Sequence, residues 1–122
     1  MSATAPVQVT VRVARDAAGR QAALDAWLAS APAPRAVIAE GALAALAAPD
    51  DVEVVRLAAG CPCCLGLVPL RVTLARLLRA RRPRALLLLV AGDTHLPRLH
   101  AMLSAGELGA LAVNPDDGGP AG

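Results

Sequence analysis

The chain has 122 residues, 56% of them hydrophobic, and twelve arginines against ten acidic residues give a formal net charge of +2. This length accommodates one domain with a single core and excludes two. The sequence contains no lysine, which excludes mechanisms that need one, and a charge of +2 with one tryptophan as the only aromatic residue argues against nucleic-acid binding.

The first half of the chain alternates strand-like and helix-like segments. Valine occupies every second position from Val7 to Val13, which is typical of a strand with one buried face. Further apolar patterns are separated by proline-rich turns. The predicted elements are a strand at 7–13, a helix at 17–30, a short buried strand at 36–39, a helix at 40–48 and a strand at 52–57.

The second half continues the alternation. Leucines at positions 70, 74, 77 and 78 form a helical stripe that begins near Pro69 and ends at Pro83. The run ALLLLVA at 85–91 is apolar throughout, as expected of a central parallel strand covered on both faces. A helix at 97–103 and a last strand at 110–113 complete the predicted elements.

Strands that alternate with helices predict βαβ units and a parallel sheet. We expect an α/β fold of three layers with a mostly parallel sheet of about 4–5 strands, by the usual packing of such units. Residues 1–113 form this domain, and 114–122 form a flexible C-terminal tail. No stretch reaches the roughly 20 apolar residues of a membrane span, and the N-terminus lacks a signal-peptide pattern. We therefore expect a cytoplasmic protein without a membrane partner.

All three cysteines lie in one short loop after the third strand, as Cys61, Cys63 and Cys64. With no cysteine elsewhere, a disulfide framework is not expected. Grouped thiolates favour Zn²⁺ first and Cu(I) second, and leave a position for another side chain, water or a partner's ligand. Two alternatives stay open, namely a redox or persulfide-type thiol and inert packing of small apolar side chains.

His95 is the candidate fourth ligand. It follows the fourth strand, and the carboxyl ends of parallel strands meet at one edge of a sheet, where ligands collect. The alternative is an ordinary surface histidine, and His100, in the next helix, is expected to be structural.

The order of these motifs resembles that of the CobW/HypB/UreG-type GTPases, above all the CobW-like metallochaperone branch. The segment VVRLAAGCPCC, the leucine-striped helix and the apolar strand that leads to GDTHLP carry the resemblance, and VTVRVARDAAGRQAALDAWL lines up with the family's strand, P-loop and helix. It implies a P-loop-NTPase-like fold for residues 1–113. It also implies Cys61 and Cys64 as ligands with Cys63 shared or in reserve, and Glu40 as a carboxylate near the metal. An exposed helix-capping role for Glu40 is the alternative.

The same alignment shows a degenerate P-loop. A working loop reads G-x-x-x-x-G-K-[ST], because backbone amides and the lysine hold the phosphates and the hydroxyl holds Mg²⁺. Of the vestigial cofactor-binding residues Gly19, Arg20 and Gln21, only Gly19 matches. Asp16 sets a negative charge where phosphates would lie, Leu89 replaces an acidic residue, and no N-K-x-D segment exists. The resemblance therefore implies a truncated family member for which GTP with Mg²⁺ and GTPase activity are not expected.

The function expected from these residues is nucleotide-independent binding of a metal, zinc above all, in metal homeostasis. One alternative is an accessory partner of an intact CobW-like GTPase, and another is a residual GTP-binding metallochaperone that uses Arg20. The expected partners are a client metalloprotein or the full-length GTPase, with a homodimer as a further possibility.

Overall fold

The structure, a computed structural model, describes residues 6–40, 46–57, 68–80, 82–90, 96–105 and 111–113. Strands and helices alternate along these residues, as the sequence predicts, except that β2 and β3 have no described helix between them. The elements are β1 (Val7–Val13), α1 (Ala17–Leu28), β2 (Arg35–Glu40), β3 (Val52–Leu57), α2 (Val68–Ala80), β4 (Ala85–Val90), α3 (Leu96–Ser104) and β5 (Leu111–Val113).

The strands form one five-stranded sheet in the order β3-β2-β4-β1-β5. All four neighbouring pairs are parallel. This order is consistent with a P-loop-like, Rossmann-type topology, and it confirms the predicted α/β class and parallel sheet. In the register, Leu86 of β4 lies opposite Val9 of β1 on one side and Ala36 of β2 on the other.

The central strand β4 is buried along its whole length. Successive side chains of a strand point to opposite faces. Leu86 and Leu88 accordingly belong to one core cluster, together with α2 and α3, whereas Leu87 and Leu89 belong to a second cluster with α1. The sheet is thus covered on both faces, which explains why β4 is apolar without alternation. The fold has three layers, with α1 on one face and α2 and α3 on the other.

The predicted leucine stripe of α2 is the face that the helix buries. Leu70, Leu74, Leu77 and Leu78 are all buried in the cluster that also contains Leu99 of α3. Full burial of each such side chain contributes roughly 1.5–3 kcal/mol, so these contacts dominate the docking of α2 on the sheet.

The helix predicted at 40–48 is wrong at both of its described ends. Glu40 is the last residue of β2, and residues 46–48 have no helical structure; 41–45 lie outside the described residues. The backbone of Ala47 instead bonds to the side chain of Gln21, by N–H donation to Oε1 and by acceptance from Nε2, each at 2.9 Å. These two hydrogen bonds hold the backbone at Ala47 in a non-helical conformation, although the composition of the segment favours a helix.

The other boundaries agree with the prediction to within one or two residues, apart from the segment 114–122, which lies outside the described residues. No helix within the described part of the chain combines the length and hydropathy needed to cross a membrane.

Candidate functional site

The carboxyl ends of the four longer strands meet at one edge of the sheet. These ends are Val13, Glu40, Leu57 and Val90. The register places Glu40 beside Leu57, and the Ala14 N–H donates to the Val90 carbonyl at 2.9 Å. The turn that leads into α1 therefore begins at the same edge as the segments that carry the predicted ligands, and this is the edge at which parallel α/β sheets bind their ligands.

The predicted thiolate and imidazole ligands Cys61, Cys63, Cys64 and His95 lie outside the described residues. In sequence, Cys61 comes four positions after the end of β3, and His95 comes five positions after the end of β4. Among the described residues, no group of three or more His, Cys, Asp or Glu side chains lies close enough together to hold a metal ion. The metal site thus remains a prediction from the sequence.

Asp16 caps the N-terminus of α1. Its backbone is extended, with φ −111° and ψ 167°, and its Oδ1 accepts a hydrogen bond from the Gly19 N–H at 2.6 Å. A carboxylate here satisfies one of the free N–H groups of the first turn and opposes the positive end of the helix dipole. In a working P-loop, phosphate oxygens use this position. Here the protein's own side chain occupies it.

Gly19 is the one P-loop residue that matches the family pattern, and it has a local role in this cap. A Cβ at this position would lie 2.9 Å from Asp16 Oδ1, closer than side-chain contacts normally come. Glycine therefore lets the carboxylate approach the N–H group that it caps.

Arg20 is almost fully buried, with 1% of its surface exposed. Its Nε donates to the Ala14 carbonyl at 2.8 Å, so the guanidinium ties α1 to the end of β1. Burial lowers the pKa of the Arg20 guanidinium below its usual value, and the negative charge of Glu40 raises it in partial compensation. A P-loop lysine reaches outward to phosphates, whereas Arg20 is engaged within the protein.

One nitrogen of the same guanidinium, Nη1, is buried and has no hydrogen-bond partner among the described residues. Leaving a buried donor unsatisfied costs roughly 1–3 kcal/mol. The neighbouring charge of Glu40, which is half-buried at the end of β2, offsets part of this cost. Glu40 is therefore in the electrostatic environment of Arg20, a proximity that the sequence does not reveal.

Gln21, which the family resemblance aligns with the P-loop Ser or Thr, has both ends of its amide engaged. Nε2 donates to Asp25 Oδ1 at 3.0 Å and to the Ala47 carbonyl, while Oε1 accepts from the Ala47 N–H. Oε1 is the only atom of this side chain that could bind a cation, and it already accepts a hydrogen bond. The side chain fixes the segment before β3 against α1.

The structural roles of the residues at the start of α1 were not predicted from the sequence. An Asp directly before the first residue of a predicted helix is a recognisable capping signal, so the Asp16 cap was accessible from the sequence. The bonds between Gln21 and Ala47 join residues 26 positions apart, and no local pattern predicts them.

The arrangement is consistent with a structural α1 N-terminus, because the groups that would bind a nucleotide are bonded to the protein itself. Comparisons with known protein families, curated proteins and solved structures found no match for this chain. The findings thus identify an α/β fold with a five-stranded parallel sheet and no family.

Proposed function

We propose that this chain is a nucleotide-independent metal-binding protein, related to the CobW-like metallochaperone GTPases, that binds zinc through its C-x-C-C segment. One observation carries the proposal: all three cysteines of the chain fall within positions 61–64, directly after β3. Chance rarely concentrates every thiol of a chain in one loop. Soft thiolate ligands at that density suit Zn²⁺, and also Cu(I).

The position of the segment in the fold supports a site there. β3 ends at the carboxyl edge of the sheet, next to β2 in the register, and the C-x-C-C segment follows β3 in the sequence. Loops at this edge supply the binding residues of parallel α/β proteins. Cys61 and Cys64 are the principal ligands in this proposal, with Cys63 shared and His95 or water in the remaining position.

Nucleotide independence is supported by the N-terminus of α1. The Asp16 carboxylate bonds to Gly19 where a phosphate would bind, and the Arg20 guanidinium bonds to Ala14. Phosphoryl transfer depends almost wholly on positioning groups of this kind, so a chain that uses them internally lacks the machinery for it. GTP with Mg²⁺ is accordingly absent from the proposed function.

His95 and Glu40 are the two proposed ligands besides the cysteines, and Glu40 is the weaker candidate. Its charge acts on the buried Arg20, and moving it to a metal would remove that compensation. We therefore assign Glu40 an internal electrostatic role ahead of a ligand role.

The test is a zinc titration of the reduced chain against a chromophoric chelator, followed by the variants Cys61→Ser and Cys64→Ser. Each substitution removes a thiolate, and loss of one such ligand is expected to weaken zinc binding at least 100-fold, on the order of 3 kcal/mol. His95→Ala tests the fourth position, and His100→Ala, on α3, is the matched control and leaves affinity unchanged. Stoichiometric zinc retained by the Cys61→Ser/Cys64→Ser double variant would refute the site.

A second candidate is an accessory partner of an intact CobW-like GTPase. The observation that favours it is the composition of α2, which carries arginines and no acidic residue. Weak zinc binding by the chain alone, restored on mixing with such a GTPase, would favour this candidate over the first.

A further inference from the structure

A stripe of side chains on α2 faces away from the sheet. Val72, Arg76 and Arg79 are spaced at i, i+4 and i+7, opposite the buried leucines of the same helix. All three are exposed. Val72, with 51% of its surface exposed, is the one large hydrophobic residue that is exposed in the described part of the chain. We call these three residues the α2 stripe.

The arginines of the α2 stripe form no ion pair with any other described residue. In the described part of the chain, Arg76 and Arg79 have no ion-pair partner, in contrast to Arg35, whose Nη2 lies 3.1 Å from Asp51 Oδ2. Neither α2 nor α3 contains an aspartate or glutamate. Exposed Arg82 and Arg84 extend the positive charge beyond the end of α2.

The helix dipole explains only part of this pattern. A cation in the last turn of a helix offsets the partial negative charge of the terminal carbonyls, and Arg79 is in that turn. Arg76 lies before the last turn and Arg84 lies outside the helix, so the helix dipole does not explain an arginine at either position. The dipole also does not account for an exposed valine in the same row.

The composition of the α2 stripe is that of a protein interface. Arginine is enriched in such interfaces, whereas lysine, glutamate and aspartate are depleted. Guanidinium groups bind carboxylates in a planar, two-bond geometry. An apolar side chain at the end of the same row gains by being removed from water.

We propose that the α2 stripe docks an acidic surface of a partner protein, with glutamate or aspartate side chains on Arg76 and Arg79 and an apolar contact on Val72. This inference rests on the described residues alone and does not require the proposed metal site. A nucleic acid fits less well, because Trp27, the only aromatic residue, is buried in α1 and offers no surface for base stacking.

The test uses the full chain and three labelled probes, namely a peptide rich in glutamate and leucine, an oligothymidine of equal charge and phosphatidylserine vesicles. The variant R76E/R79E reverses two charges of the α2 stripe. The control variant R15E/R56E reverses two exposed arginines located elsewhere, on the turn before α1 and on β3. Circular dichroism and thermal unfolding of both variants establish that each is folded.

The expected result is salt-sensitive peptide binding that falls about tenfold in R76E/R79E and less than twofold in R15E/R56E. Val72→Ser is expected to weaken peptide binding about threefold, the cost of exposing part of one apolar side chain. Its matched control, Ala80→Ser on the same helix, leaves peptide binding unchanged.

Four outcomes would overturn the proposal. The first is that the chain does not bind the peptide, and the second is that R15E/R56E weakens peptide binding as much as R76E/R79E does. The third is that oligothymidine or the vesicles bind more tightly than the peptide and that Val72→Ser does not change this binding. The fourth is that the chain self-associates and that R76E/R79E abolishes the self-association. The last would identify a second copy as the occupant. Because none of these probes contains metal, failure here leaves the zinc titration to decide the metal site on its own.

Discussion

The helices on the two faces of the sheet use their charged and polar side chains in opposite ways. On the α1 side, Asp16, Arg20 and Gln21 all bond to groups of the same chain. On the α2 side, Arg76 and Arg79 are exposed and have no ion-pair partner in the described part of the chain. The first set holds the domain together, and the second set is available to another molecule.

The comparison shows how residue type alone misleads. Arginine on α1 and arginine on α2 have the same charge, but Arg20 is 1% exposed whereas Arg76 and Arg79 lie on the surface. Burial forces the first to find internal partners, since an uncompensated charge in the core is costly. Substitutions on the two sides therefore have different consequences.

The largest effect is expected at Arg20. Arg20→Ala should lower the free energy of unfolding by about 3 kcal/mol, because it leaves a cavity, an unsatisfied Ala14 carbonyl and the charge of Glu40 without its counterpart. Urea unfolding measures the loss. Arg15→Ala, at the exposed neighbouring arginine, is the control and should change stability by less than about 0.5 kcal/mol. Equal effects of the two substitutions would show that Arg20 is not a structural residue.

An intermediate effect is expected at the α1 cap. Asp16→Ala removes the acceptor of the Gly19 N–H and should cost about 1 kcal/mol. Gly19→Ala should also destabilise the wild type, because its Cβ would crowd Asp16 Oδ1. In the Asp16→Ala background that crowding is gone, and the higher helix propensity of alanine should make Gly19→Ala neutral or stabilising.

Urea unfolding of the four proteins in this double-mutant cycle gives the coupling energy between Asp16 and Gly19. Strictly additive effects would mean that the carboxylate does not occupy the N-terminus of α1, and the argument against an anion site there would fail.

The smallest effect is expected on the α2 stripe. Arg76→Ala and Arg79→Ala should each change the free energy of unfolding by less than about 0.5 kcal/mol, because both side chains are exposed and neither has an ion-pair partner among the described residues. Thermal unfolding at low and high salt provides the measurement. A loss of stability comparable with that of Arg20→Ala would show that the arginines of α1 and α2 do not differ in their contribution to folding.

The fold was largely predictable because its determinants are local. The valine alternation of β1, the apolar run of β4 and the leucine stripe of α2 each identify an element and its buried face. The sheet order was not derivable in this way, since it depends on contacts between distant strands. The predicted helix at 40–48 was wrong at its described ends because of similar long-range contacts: Glu40 pairs with β3, and a side chain on α1 bonds to the backbone of Ala47.

The same distinction between local and long-range determinants applies to the candidate site. The C-x-C-C spacing is a local signal that predicts a thiolate site, whereas the choice of Cys61 and Cys64 as principal ligands comes from the family resemblance. The internal use of the P-loop residues is not local, because Arg20 is buried only through the packing of α1 on the sheet, beside the end of β2. From the sequence, Arg20 resembles a substitute for a nucleotide-binding lysine, and the structure instead places its guanidinium against the Ala14 carbonyl.

The most direct test of the central claim, metal binding without nucleotide, is a paired zinc titration of the reduced chain, with and without GTP and Mg²⁺. The account predicts one tightly bound zinc per chain, with the same affinity in both titrations and no thermal stabilisation by the nucleotide, since a ligand of the native state would raise its stability. Zinc binding that appears only when GTP and Mg²⁺ are present would contradict it.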